Sequence, residues 1–133
     1  ILGIGTDLTD IRRIEKALAR FGQSFEDKIF TPREQKKAHS RKNAGTKAIA
    51  STYAKRFAAK EACVKALRTS KSGLSWHDIE IVNVDSRAPI IMLHGQARNR
   101  LKEITPKGET AKVHLSMSDE YPLAQAMVII ESN

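Results

Sequence analysis

The chain has 133 residues, 41% of them hydrophobic and 29% charged, with a formal net charge of +8. That length suits one domain, residues 1–133, with a sizeable core; the lack of an apolar run of about 18 residues argues against a membrane span, and a lone cysteine rules out an internal disulfide and suits a reducing, cytoplasmic compartment. Residues 1–72 hold 17 of the 23 basic residues but only 7 of the 15 acidic ones, so the first half should carry a positive field aimed at an anionic partner.

The sequence starts at Ile1, with no basic start and apolar stretch of a signal peptide; an initiator residue and some others are expected to precede it. Ile1 to Leu8 reads as a first strand. Gly3 and Gly5 share one of its faces, which therefore has no side chains and lets another element or a ligand approach closely. Leu8 takes the third glycine position of G-x-G-x-x-G, so the stretch is not a dinucleotide fingerprint. Asp7 near the strand end reads by itself as a turn or capping residue. Thr9 or Asp10 can cap a helix over Ile11 to Phe21 that buries Ile11, Ile14, Leu18 and Phe21. Thr31, Pro32 and Glu34 form a helix start with N-cap, N1 proline and capping-box glutamate, and that short helix runs to about His39. Ser40 to Thr46 is a basic loop.

Ile49 to Arg68 is alanine-rich and free of Gly and Pro, which favours a long helix. Ile49, Tyr53, Phe57, Val64 and Leu67 recur at helical spacing and predict its buried stripe. Cys63 falls among apolar neighbours and reads as a buried, inert thiol. The polar side carries Arg56, Lys60, Glu61 and Lys65, one carboxylate among three cations. Either this is a solvated face with a Glu61–Lys65 pair, or it is a phosphate site in which the carboxylate holds a hard cation.

After a loop over Thr69 to Ser75 the period changes to two. Asp78 to Asp85 and Ile90 to Leu93 read as a hairpin with a turn at Ser86 to Pro89. Gln96 to Ile104 is a short helix. Val113 to Ser118 alternates, with His114, Ser116 and Ser118 on one face. Leu123 to Ile130 is nearly continuous and apolar, hence central or buried on both faces. The fold class is α+β, an antiparallel sheet packed against a long central helix.

Two other chemistries fail on spacing. His39, His77, His94 and His114 lack zinc-ligand spacings. His114 and Ser116 stand about 6.6 Å apart on a strand, too far for a nucleophile–base bond, and no G-x-S-x-G elbow is present. His114 remains either a half-buried strand histidine or a phosphate contact.

Four stretches together resemble one family: Gly3-Ile4-Gly5-Thr6-Asp7-Leu8, Arg56-Phe57-Ala58-Ala59-Lys60-Glu61-Ala62, Trp76-His77-Asp78-Ile79-Glu80-Ile81 and His114-Leu115-Ser116-Met117-Ser118. In that order and spacing they are similar to holo-[acyl-carrier-protein] synthase, the small 4′-phosphopantetheinyl transferase. The resemblance covers essentially the whole chain. It implies a 4′-phosphopantetheinyl transferase-like fold assembled as a homotrimer with shared active sites. It implies transfer of phosphopantetheine from coenzyme A to a serine of apo-acyl carrier protein, in support of fatty acid biosynthesis, with magnesium as cofactor. Asp7 and Glu61 match the family's metal-binding carboxylates, and Lys60 matches the lysine at the reacting pyrophosphate. Lys65 matches a phosphate contact. Arg56, Pro89 and His114 match positions around the adenosine and 3′-phosphate, supplied by a neighbouring subunit. Arg13 and Arg20 match basic positions that face the acidic carrier.

Helical geometry agrees with a shared site, since Arg56 and Glu61 project about 140° apart. Arg13 and Arg20 lie two turns apart on one side of their helix, about 10.5 Å along its axis. The charge bias alone would also fit a basic nucleic-acid-binding module, although aromatics make up only 5% of the chain, and none interleave with the basic runs. The two carboxylates would equally serve a metal-dependent phosphohydrolase that needs no carrier.

Overall fold

The computed structural model describes residues 1–40, 45–85 and 87–133. Strand β1 (Gly3–Asp10) leads directly into helices α1 (Ile11–Phe21), α2 (Gln23–Ile29) and α3 (Pro32–Ala38), and then into the long α4 (Thr46–Ala66). A single 3-10 turn at Trp76–Asp78 precedes strands β2 (Ile79–Val82) and β3 (Ile90–Leu93), helix α5 (Gly95–Ile104) and strands β4 (Ala111–Glu120) and β5 (Leu123–Ser132). The strands form two antiparallel sheets, β1-β5-β4 and the hairpin β2-β3. The middle of the expected basic loop and Ser86 of the expected turn lie outside the described residues.

Local chemistry explains the boundaries. Asp10 caps α1: its carboxylate accepts from the Arg12 backbone N–H and pairs with the Arg12 guanidinium at 2.7 Å. Those bonds to Arg12 hold its pKa down at about 2. Thr31 and Glu34 make the reciprocal capping box of α3. Helix α2 was not expected. Gly22 turns the chain with φ +54, closes α1 by donating to Leu18 O, and lets α2 start at once. A glycine that ends a helix in the left-handed region is a readable signal, but the seven residues that follow are too few to show a period.

Three packing expectations need correction. Phe21, placed in the buried stripe of α1, is 54% exposed, because α1 ends there and the chain turns away. Strand β5 is central in its sheet but buried on one face only. Ala124, Ala126, Val128 and Ile130 point inward, while Leu123 and Met127 are exposed. Helix α4 is not amphipathic around a stripe. Its burial extends almost all the way round, including Arg56 and Lys60. Its C-terminal half, from Ala58 on, packs on the sheet, β2-β3 and α5, and its N-terminal half, Ile49 to Phe57, on α1, α2 and α3 around Phe30 and Tyr53, whose rings stack at 4.1 Å. Cys63 is buried as expected, and burial pushes its thiol up to about 12. No described helix is long and apolar enough to cross a membrane.

The close approach expected at Gly3 and Gly5 is present. A Cβ on Gly3 would sit 1.8 Å from the Ala66 carbonyl oxygen of α4, and one on Gly5 would sit 2.1 Å from that of Ala62. Those contacts are backbone, so they cannot yield as a side chain would. Gly5→Ala should therefore destabilise the fold by about 1–3 kcal/mol or more, the range for overpacking, read as a fall in melting temperature. Gly45→Ser, where a new Cβ meets nothing within 4 Å and the hydroxyl could cap α4, should leave the melting temperature unchanged or raise it.

Candidate active site

Asp7 and Glu61 meet where β1 crosses α4. Asp7 lies on the same strand face as Gly3 and Gly5, two residues beyond the glycine that touches Ala62. Glu61 directly precedes Ala62. The glycine contact therefore brings one carboxylate beside the other, close enough to share a hydrogen bond once one of them is protonated. Burial first, and then the hydrogen bond and charge of Asp7, together raise the pKa of Glu61 to about 7 against the opposing charges of Lys65 and Arg13. Lys65, one turn along α4, donates to Thr6 O at 2.9 Å and to Asp7 Oδ1 at 3.3 Å. Thr9 donates to Asp7 Oδ2 at 3.5 Å. A cavity of about 220 Å³ opens beside the pair, lined by Leu8, Thr9, Arg13, Phe25, Phe57 and Glu61 among others.

Two neighbouring carboxylates, one of them held toward its neutral form, are a donor set whose repulsion a divalent cation would relieve. No group of three or more His, Cys, Asp or Glu able to hold a metal occurs among the described residues. The two carboxylates could hold an ion such as magnesium, which takes few protein ligands and completes its shell with water and phosphate oxygens.

A second cavity, of about 290 Å³, lies on another side of α4 and is lined by Lys37, Lys55, Arg56, Asn83, Pro89 and Met117 with their neighbours. Arg56 is 4% exposed. Its guanidinium donates to Thr52 O at 3.3 Å and to Asn83 Oδ1 at 3.1 Å. Among the described residues its Nε has no partner. Burial lowers its pKa, with Glu34 opposing. A buried cation with only neutral hydrogen-bond partners is costly unless an anion completes it, and Lys37 and Lys55 add charge to the same wall. Lys55 is itself held by Asp119 at 3.1 Å, so Asp119, given no role from sequence, has a partner. Several of the basic residues that suggested nucleic acid thus converge on a cavity.

Arg56 and Pro89 come together as expected, and so do Asp7, Glu61 and Lys65. Two expected site residues are placed elsewhere. Lys60 does not point at the carboxylate pair. It is fully buried on another flank of α4, where Nζ donates to Glu34 Oε1 at 2.9 Å, Trp76 O at 2.9 Å and Ile79 O at 2.5 Å. Adjacent helical residues diverge by about 100°, so Lys60 and Glu61 cannot face the same cavity. His114 lies on the outer face of β4, paired with Glu131 at 2.8 Å, whereas Met117, on the opposite face, lines the Arg56 cavity. The period of a strand separates them. Of the two docking candidates, Arg13 lines the cavity beside Glu61, and Arg20 stands exposed at the end of α1 with its guanidinium 5.1 Å from the Phe21 ring.

Sequence reasoning missed Asn83, the partner of Arg56, and Glu34, the partner of Lys60. Glu34 was legible as a capping residue. Its second carboxylate oxygen accepts from Ile81 N at 2.9 Å, a link across the fold that no local spacing signals. Phe25 was missed together with α2.

Comparison with known proteins completes the picture. The family model described as the 4′-phosphopantetheinyl transferase superfamily matches residues 3–126. A holo-[acyl-carrier-protein] synthase of Cereibacter sphaeroides is 51% identical over 99% of this chain and 93% of its own length. An acyl carrier protein synthase of Plasmodium yoelii with ADP bound superposes with a TM-score of 0.82 at 37% identity, covering 100% of this chain and 97% of that one. A holo-(acyl-carrier-protein) synthase of Bacillus anthracis in complex with CoA (3′,5′-ADP) gives a TM-score of 0.75 at 34% identity, covering 100% and 98%.

The proximity of the two carboxylates is directly measurable. In Asp7→Asn the Glu61 midpoint should fall from about 7 toward 4.5, stopping short because burial remains. A carbon-detected NMR titration of the side-chain carboxyls reads it. An unchanged midpoint would mean that burial alone sets the value.

Proposed function

This chain belongs to the 4′-phosphopantetheinyl transferase superfamily, and we propose from that membership and its site that it acts as a holo-[acyl-carrier-protein] synthase. It transfers 4′-phosphopantetheine from coenzyme A to a serine of apo-acyl carrier protein, releasing adenosine 3′,5′-bisphosphate and priming the carrier for fatty acid biosynthesis. The observation that carries the reading is the Asp7–Glu61 carboxylate pair flanked by Lys65 and Arg13.

The serine hydroxyl gives up its proton to Asp7 or to water as its oxygen forms a bond to the β-phosphorus; the bond from that phosphorus to the bridging oxygen breaks, and the bridging oxygen leaves on the adenosine bisphosphate. Asp7 and Glu61 would hold a magnesium ion, which supplies charge neutralisation at the reacting pyrophosphate. Lys65, exposed and already beside Asp7, adds a mobile cation to the same phosphates. Arg56, with Pro89 and Asn83, offers a cavity for the phosphorylated adenosine end. Arg13 and Arg20 present positive charge along the outer side of α1 to an acidic carrier.

The active site is shared between copies of the chain, in a homotrimer. Within one chain α4 stands between the Arg56 cavity and the carboxylate pair. The outer face of β1-β5-β4 is apolar and exposed at Ile4, Leu8, Leu123 and Met127, as a subunit interface would be. His114 lies on this same outer face, where it could serve a neighbour's site.

Mass spectrometry of an apo-carrier incubated with coenzyme A and magnesium tests the activity. The carrier should gain one phosphopantetheine, and Glu61→Gln should abolish the gain while the protein stays folded; transfer at the wild-type rate in that variant would sink the reading. In the same assay Arg13→Glu with Arg20→Glu should raise the Michaelis constant for the carrier, and the increase should shrink as salt screens the field. A salt-independent, normal constant would remove α1 as the docking surface.

The shared site has its own test. Inactive Arg56→Ala and inactive Glu61→Gln chains, mixed and allowed to exchange subunits, should regain partial activity. No recovery after verified exchange would place both residues in one chain's site.

A further inference from the structure

Among the described residues, Lys60 is a buried charge whose every donor is satisfied. Its side chain and that of Glu34 are both 0% exposed. All three donors of the ammonium are used, by Glu34, the Trp76 carbonyl and the Ile79 carbonyl. Glu34 in turn accepts from Lys60 and Thr31 N on one oxygen and from Ile81 N on the other. Lys60 cannot turn toward a phosphate without breaking this set and leaving Glu34 a buried, unpaired charge, which is strongly unfavourable. It therefore does not serve the pyrophosphate directly.

We propose that Lys60 is a positioning residue: its buried ion pair with Glu34, anchored to the carbonyls on either side of the Trp76–Asp78 turn, fixes the rotation of α4 about its axis and so holds Glu61 against Asp7. This rests on the reading above, in which that pair carries the metal and the reacting phosphates. The geometry is a two-sided clamp. On one flank, Gly3 and Gly5 press backbone to backbone on Ala66 and Ala62, which fixes the distance between α4 and β1. Smooth glycine contacts resist a turning of the helix only weakly. On the other flank, the Lys60 side chain reaches three separate points in α3, the 3-10 turn and β2, and a lever with three fixed ends does resist it. A helix with its side chains is about 10–12 Å across, so a rotation of roughly 10° moves a side-chain tip by about 1 Å. A misplacement of about 1 Å at a reacting centre can lower a rate by roughly 10²-fold.

The experiment compares Lys60→Met, Glu34→Gln and the paired Lys60→Met/Glu34→Leu with wild type. The readouts are Mn²⁺ binding to the protein by calorimetry, the turnover number and the Michaelis constant for coenzyme A in carrier modification, and the melting temperature. Each single substitution should weaken Mn²⁺ binding and lower turnover, by about ten-fold or more for Lys60→Met, and the constant for coenzyme A should rise as well, because Arg56 is carried on the same helix. The paired variant should stay as impaired as Lys60→Met in both Mn²⁺ binding and turnover, since Met and Leu fill the space but restore none of the bonds to Trp76 O, Ile79 O and Ile81 N. Two results overturn the proposal. If the paired variant is folded and binds Mn²⁺ normally but its turnover stays as low as that of Lys60→Met, the Lys60 charge acts on the phosphates. If the single variants lose melting temperature alone, the pair holds the fold and nothing more. Should Lys60→Met fail to fold, Glu34→Gln, which keeps the shape of the side chain, decides the matter, and unchanged Mn²⁺ binding in it refutes the proposal. A wild-type chain that neither binds Mn²⁺ nor modifies a carrier refutes the functional reading itself, and this proposal with it.

Discussion

The backbone of β1 lies directly on the backbone of α4, and the acidic site exists because of that contact. Two glycines remove the side chains that would keep a strand and a helix apart, and the Ala62 and Ala66 carbonyls occupy the space where Cβ atoms would be. At this separation a short carboxylate on the strand reaches a glutamate on the helix. Asp7 has few rotatable bonds, so it can meet Glu61 only if the two elements are this close. Lys65 then reaches across to the Thr6 carbonyl and the Asp7 carboxylate. The arrangement costs some stability: burial and like charge push Glu61 to about 7. A carboxylate pair perturbed in this way marks a candidate functional site, and a bound cation would relieve it.

Because α4 is enclosed on nearly every side, its charged residues cannot all reach solvent, and the fold treats them differently. Lys60 is paired and hydrogen-bonded at every donor. Arg56 is equally deep but has only neutral partners and, among the described residues, one nitrogen with none. The contrast sorts the two cations by role. A buried charge that is fully satisfied can anchor its neighbours, while one left incomplete beside a cavity has room to accept an external anion. Glu61 and Lys65 remain partly open beside Asp7. Four charged residues within ten positions thus have three fates, decided by which neighbour each helical direction meets.

Much of this architecture can be read locally. Thr31, Pro32 and Glu34 announce α3, and Asp10 caps α1, because capping chemistry involves residues only two or three positions apart. The hairpin β2-β3 follows from alternation, and the Gly3–Gly5 face signals close approach. What escapes is short or long-range. The seven residues of α2 are too few to establish a period. The one-sided burial of β5 depends on nothing covering Leu123 and Met127 within the chain, which a run of apolar residues cannot reveal. Phe21 satisfies the helical spacing, yet it stands at the end of α1, where the core has already turned away.

For the site, the family resemblance of the motifs singled out Asp7, Glu61, Lys65 and Arg56 as candidates for phosphate and metal chemistry, where residue types alone left a solvated helix face open as well. Only the tertiary structure decided which of them face one another. Along α4 a step of one residue turns the side chain by about 100°, so Lys60 and Glu61, neighbours in sequence, face different surroundings. Which surroundings these are depends on Glu34 and Ile79, 26 and 19 residues from Lys60. The motif specifies a lysine, while the partner that holds it in the core, and the strand that brings Asp7 to Glu61, come from distant parts of the chain whose pairing is settled only when the whole domain packs.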